Sequence, residues 1–201
     1  MRLLDRDSII KQLKSEDDNS LFLDPLLDEG RQVGAATIDL RLGYDFAVSI
    51  LTRKPYISVS KSDDSYRDTA SYFQFTRRSF GEKFVLYPGQ VVLATSLEYV
   101  SLPSNVYADV LSRSSYTRLG IHLNTMVQPG FRGCIPLELF NHSNNAVELV
   151  VGARLVQIRL FEVSEDRAYG QYGRKYYGNV RPTISRAAED SDLDVLGKVE
   201  N

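Results

Sequence analysis

Ala36-Thr37-Ile38-Asp39-Leu40-Arg41-Leu42, closed by Gly43, alternates apolar and polar residues without a break. A period of two puts Ile38, Leu40 and Leu42 on one face of an extended strand and Asp39 and Arg41 on the other. The signal recurs along the chain. Phe84 to Tyr87 and Val91 to Thr95 flank a Pro88-Gly89 turn, and Val106 to Val110, Cys134 to Phe140, Val147 to Val151 and Leu155 to Phe161 continue the series. Asn144-Asn145 and Gly152 punctuate it. Many short strands at close spacing predict an all-β, mainly antiparallel sandwich or distorted barrel. Near the start, Asp5 is placed to cap a short N-terminal helix whose Ile9, Ile10 and Leu13 share a face, and minor helical turns complete the set.

The chain has 201 residues, which suits one domain over residues 1–186. Within it, residues 54–82 read as a polar, partly β excursion carrying Tyr72, Phe73 and Phe75. Residues 167–186 form a closing segment dense in Tyr, Gly and basic groups, and residues 187–201 read as an acidic flexible tail. Twenty-four Lys and Arg against 26 Asp and Glu leave a net charge of −2, which gives no reason to expect nucleic-acid or membrane-surface binding. The opening Met1-Arg2-Leu3-Leu4-Asp5-Arg6-Asp7 is too charged for a secretory signal, and no apolar run is long enough to span a bilayer. The single cysteine, Cys134, excludes an intramolecular disulfide. These features read as a cytoplasmic protein.

Two features point to chemistry. Ser112-Arg113-Ser114-Ser115 with Arg118 sets hydroxyls between arginines, and Arg forks with short hydroxyl donors suit phosphate oxygens. Ser114 or Ser115 is placed to cap a helical turn running through Leu119, with Gly120 at its end; a capped, solvated turn is the plainer reading. Glu138 is a lone carboxylate between Leu137 and Leu139. Alternation turns it away from the core, where it is either solvated or, if a pocket lies there, an acid/base group. Gly-rich phosphate loops are absent. Zinc-dependent nucleoside deamination needs a His or Cys with a Cys pair on the metal, whereas Cys134, His122 and His142 are all this chain has. Cys134 reads as a small buried hydrophobe and His142 as a hairpin-loop residue.

Taken in order, these segments resemble the dCTP deaminase branch of the dUTPase-like superfamily. The opening M-R-L-L-D-R-D is similar to that family's start, and Gly34 to Gly43 to its first long strand. Ser112-Arg113-Ser114-Ser115 through Arg118-Leu119-Gly120, Pro129-Gly130-Phe131 with Gly133, Leu137-Glu138, and Gly152 with Arg154-Leu155 and Gln157 match its central motifs. Lys175-Tyr176-Tyr177-Gly178-Asn179 and Pro182-Thr183 with Ser185-Arg186 resemble its closure. The resemblance implies a dUTPase-like fold, a homotrimer with active sites between subunits, and zinc-independent conversion of dCTP to dUTP and ammonia. It assigns Glu138 as general base, and Ser114 and Arg118 as holders of the attacking water and the carboxylate. It assigns Arg113, Ser114 and Ser115 to the triphosphate, with Mg²⁺ carried on the phosphates, and places Lys175 and Asn179 where the C-terminal segment closes on the phosphates. A family tyrosine corresponds to Tyr169 or Tyr172.

The chain departs from the family between Gly120 and Pro129. The family pattern has H-x-T-A and an aspartate before Pro-Gly, in a hairpin that reads base and sugar; here the stretch is about three residues shorter. Gln128 stands at the aspartate position. An amide bonds a sugar hydroxyl but cannot serve as a base. Asn179 replaces the usual glutamine. A dUTPase or bifunctional enzyme, or a catalytically silent nucleotide-binding paralogue, are the alternative readings.

Overall fold

A computed structural model describes residues 1–54, 56–59, 69–164 and 175–196. Among the described residues, thirteen strands pair antiparallel throughout. In chain order they are Arg2–Leu3 (β1), Phe22–Asp24 (β2), Ile38–Arg41 (β3), Asp45–Ser49 (β4), Phe73–Arg77 (β5), Lys83–Leu86 (β6) and Val91–Ser101 (β7). Val106–Ser112 (β8), Ile121–His122 (β9), Asn124–Val127 (β10), Arg132–Asn141 (β11), Val147–Val150 (β12) and Arg154–Glu162 (β13) follow. One sheet runs β1-β13-β8-β10, with β3 also on β13; the second runs β5-β4-β7-β11-β9, with β2 also on β7. A separate pair, β12-β6, makes a third, two-stranded sheet.

The alternation predicted for Ala36–Leu42 is realised. Ile38, Leu40 and Leu42 are fully buried, while Asp39 and Arg41 remain partly exposed. Val106, Ala108 and Val110 of β8, with Ile158 and Leu160 of β13, supply the first sheet's inner face. Val92 and Ala94 of β7 meet them with Ile135, Leu137 and Leu139 of β11. These residues belong to one hydrophobic cluster, so burial against the opposite sheet sets each strand's register. Asp5 caps the helix Arg6–Leu13 by accepting from Ser8 N at 2.9 Å, and Ile9 is buried beneath it.

The Pro88-Gly89 turn joins strands of different sheets: β6 pairs with β12, whereas β7 lies in the second large sheet. Gly89, at φ +69°, makes that change of direction. Phe84 of β6 stacks on Phe46 of β4 with ring centroids 4.3 Å apart and planes 2° from parallel. The loop after β11 also crosses between sheets, since β11 does not pair with β12; His142 therefore lies in a crossing and not in a hairpin. Buried Asn141 holds this corner, donating through Nδ2 to Leu86 O at 3.0 Å and Asn145 O at 2.8 Å. The excursion 54–82 contributes β5 to the edge of the second sheet. The C-terminal residues expected as a flexible tail include a 3-10 turn, Ala187–Glu189, and a helical turn, Asp192–Leu196.

Candidate active site

Glu138 projects from the outer face of β11, between Leu137 and Leu139, which are buried on the inner face. Its neighbours on that face follow from the register. Pro136 and Cys134 precede it at steps of two, and Leu93 and Thr95 of β7 stand opposite Glu138 and Pro136. With Val91 and Phe73 they form the floor of a depression of about 390 Å³. Tyr176, Asn179, Arg181, Thr183 and Ser185 line it from the C-terminal side as a roof. The floor is mostly apolar and the roof polar, the division expected of a pocket that orients a small ligand.

The roof is stitched to β11. Gly178 N donates to Arg132 O at 2.8 Å, and Cys134 N donates to Asn179 O at 2.9 Å. Gly133 allows that approach: its φ is +144°, and a Cβ there would lie 2.6 Å from Asn179 O. Pro182 and Ile184 are buried toward the body, leaving Arg181, Thr183 and Ser185 on the pocket side. Glu138 itself reaches solvent at the mouth, yet the walls strip enough water from its carboxyl to push its pKa above the ordinary value. Among the described residues no cation pairs with it. A carboxylate whose proton affinity is raised by its walls is suited to taking up and returning a proton.

Among the described residues, the other predicted residues except Asn179 lie outside the depression. Ser114–Thr117 is a single helical turn after β8, and its N-cap is Arg113 with no side-chain cap bond, so neither Ser114 nor Ser115 caps it. Gly120, at φ +85°, ends the turn as expected. Ser114, Ser115 and Arg118 face outward and exposed, and none of them lines the Glu138 depression. Arg113 is engaged within the chain: Nε reaches Asp39 Oδ2 at 3.1 Å and Nη1 donates to Arg154 O at 3.0 Å. Gln128 is exposed, with its amide 3.9 Å from Met126 Sδ, and it too lies outside the depression. Lys175 donates to Arg186 O at 2.8 Å and to the Asp190 carboxylate. Among the described residues, Asn179 alone of the predicted binding residues shares the depression with Glu138. Tyr169 and Tyr172 lie outside the described residues.

The shortened stretch between Gly120 and Pro129 is not a hairpin. Ile121–His122 pairs with the end of β11, while Asn124–Val127 pairs with β8, so the stretch spans from one large sheet to the other. His122, His142 and Phe140 cluster on the Glu138 face of β11, the two imidazoles edge to face at 4.8 Å.

Sequence reasoning missed the floor and most of the roof. Cys134 and Pro136 were legible as same-face partners of Glu138 by period, but the β7 partners and the roof contacts required the fold. It also missed Glu98, fully buried between the sheets. Glu98 accepts from Gln32 Nε2 and from Arg41 N, each at 2.9 Å, and burial pushes its pKa up to about 7. Asp39, beside it in the network, is also raised by burial, against the opposing pull of Arg113, Arg154 and Arg41.

Fold and depression together define a β-sandwich protein that sets one carboxylate in a depression beneath a polar roof. The sequence profile of the dCTP deaminase-like family matches residues 3–163, and the chain belongs to that family. It is 35% identical over 195 residues to the "dCTP deaminase, dUMP-forming" of Methanobrevibacter smithii, covering 93% of this chain and 96% of that one. It is 36% identical over 182 residues to the dCTP deaminase of Halorubrum lacusprofundi, covering 88% of each. The crystal structure of 2'-deoxycytidine 5'-triphosphate deaminase from Agrobacterium tumefaciens shares the fold, with a TM-score of 0.59 at 23% identity over 79% of this chain; the match spans 48% of that longer chain.

Proposed function

We propose that the protein deaminates dCTP hydrolytically, consuming water and releasing dUTP and ammonia, with Glu138 as the proton-transferring group. The observation that carries this is the outward-facing Glu138 in a depression roofed by the closing segment, in a chain about 35% identical to curated dCTP deaminases along most of its length. In the proposed mechanism Glu138 takes a proton from water as the oxygen attacks C4 of cytosine. It passes that proton to the ring nitrogen, then assists a second transfer to the departing amino group. Its raised proton affinity suits both directions of transfer. Asn179 and the other roof side chains supply donors and acceptors over the base or sugar.

Ser114 and Arg118 hold the water and orient the carboxylate in this proposal, and they come from a second copy of the chain. Support comes from their placement: within one chain they are exposed on a turn that does not line the depression. A homotrimer with sites between subunits completes each site, with Arg113, Ser114 and Ser115 presenting one chain's phosphate-binding edge to its neighbour's Glu138. Mg²⁺ enters as part of the nucleotide substrate, ligated by its phosphates; among the described residues no three His, Cys, Asp or Glu side chains stand together to hold a metal. Among the same residues no helix is long and apolar enough to cross a membrane. The cytoplasm, which holds the nucleotide pool this reaction draws on, is the compartment that fits the proposed substrate.

The test is direct. Purified protein with Mg²⁺ and dCTP is expected to release ammonia, and Glu138→Gln to lose at least about a hundredfold in turnover while still binding the nucleotide, the scale of a lost general base. Nucleotide binding without product in the unaltered protein would sink the proposal and indicate a silent paralogue. A second reading is favoured by the first curated relative's name, dUMP-forming. Chromatography of the products separates the two, since that reaction also liberates pyrophosphate. Gln128, an amide where the family pattern has an aspartate, favours dUTP as the end product.

A further inference from the structure

We infer that Asp190 is an internal pseudo-ligand, a carboxylate of the chain's own C-terminal segment that occupies Lys175 and competes there with the nucleotide's phosphates. The inference rests on the phosphate-closing role that the family resemblance gives Lys175.

The roof loop 175–186 is closed at its base by reciprocal contacts between its two ends. Lys175 Nζ donates to Arg186 O at 2.8 Å, Arg186 Nη1 donates to Lys175 O at 2.5 Å, and Arg186 N donates to the Tyr176 hydroxyl at 3.0 Å. Tyr176 itself lines the Glu138 depression, so this base lies beside the pocket. The 3-10 turn Ala187–Glu189 then folds the chain back, with Glu189 N donating to Arg186 O at 3.1 Å and Asp190 N to Ala187 O at 3.0 Å. That reversal brings two carboxylates onto the two cations. Glu189 takes Arg186 through both oxygens, at 2.7 Å from Nε and 2.7 Å from Nη2, and Asp190 takes the Lys175 ammonium.

Carboxylate and phosphate oxygens compete for the same ammonium donors. Two acceptors already engage Lys175, namely the Arg186 carbonyl and the Asp190 carboxylate. Only the second is on an exposed side chain able to swing away, with 59% of it accessible. The bidentate Glu189–Arg186 pair is the firmer half of the clasp and keeps the loop base closed. The single Asp190–Lys175 contact is the half a polyanion displaces, because exposed ion pairs are weak.

Inorganic triphosphate and dCMP, titrated separately by calorimetry into the full-length chain, separate this inference from the reading it rests on. Asp190→Asn is expected to tighten triphosphate binding about two- to fivefold, the equivalent of one exposed ion pair, and to leave dCMP binding unchanged. Asp190→Ala should do the same, and melting curves check that both variants fold. Lys175→Met should weaken triphosphate binding, and adding Asp190→Asn to it should change nothing further. If Lys175→Met weakens triphosphate binding but neither Asp190 variant tightens it, the competition is refuted while the phosphate role of Lys175 stands. If Lys175→Met has no effect, both fall.

Discussion

Buried carboxylates carry the residue-scale consequences. Glu98 is sealed between the sheets with a pKa of about 7 against an ordinary 4.5. The folded state therefore binds a proton more tightly than the unfolded state, and Glu98's contribution to stability is fully present below about pH 4.5. It declines as pH rises through about 7, by on the order of 3 kcal/mol for a shift of that size. Denaturation from pH 4.5 to 8 should show this loss in the unaltered protein, and Glu98→Gln should flatten it whatever its own offset in stability. A parallel pH dependence in the two proteins would rule out Glu98 as its source. Gly133 makes a steric argument at the same scale. Gly133→Ala would drive a methyl into Asn179 O and lift the roof from β11. We expect a raised KM for dCTP and a cost of about 1–3 kcal/mol in stability, read by steady-state kinetics and urea denaturation.

At the scale of elements, the site depends on strands that do not pair with their sequence neighbours. β6 and β7 are separated by Pro88-Gly89 but belong to different sheets, and β6 closes one side of the core through the Phe84–Phe46 stack. Phe84→Ala should cost about 3–5 kcal/mol, measured by equilibrium denaturation, because a buried ring leaves a cavity facing another ring. The stretch 121–128 joins the two large sheets, pairing with β11 at one end and with β8 at the other. Gln128 ends this stretch as an amide that bonds a hydroxyl but takes no proton, so Gln128→Ala should leave the deamination step much less affected than Glu138→Gln, with ammonia release as the measurement.

For the whole molecule, the separation of Glu138 from Ser114 and Arg118 is the organising fact. Asp39, Arg113 and Arg154 tie the start of the Ser-Arg turn to the first sheet, while Glu138 rises from the second. With sites proposed to form between copies, two inactive variants should complement one another. Glu138→Gln mixed equally with Ser114→Ala, after dissociation and reassembly, should recover activity approaching about one quarter of the sites, as random assembly in a ring dictates. No recovery, with mixed oligomers demonstrated by mass, would place each site within one chain.

Much of this was legible in the amino-acid order. Alternation at Ala36–Leu42 and its repeats determined antiparallel β structure because burial on one face enforces a period of two. The same rule turned Glu138 outward, and the ordered motifs carried the family. What alternation cannot specify is which strands become neighbours, since any two amphipathic strands satisfy it equally. The tertiary structure therefore decided that Leu93 and Thr95 join Glu138 on one floor, that residues 176–185 roof it, and that Asp39 and the Arg154 carbonyl hold Arg113 at the start of the Ser-Arg turn. It also decided the fate of Glu98, which alternation sets on the face of β7 shared with Val92 and Ala94 without naming its partners. Only the closing of two sheets over it, with Gln32 and Arg41 as its donors, removes the water that would have kept its pKa ordinary.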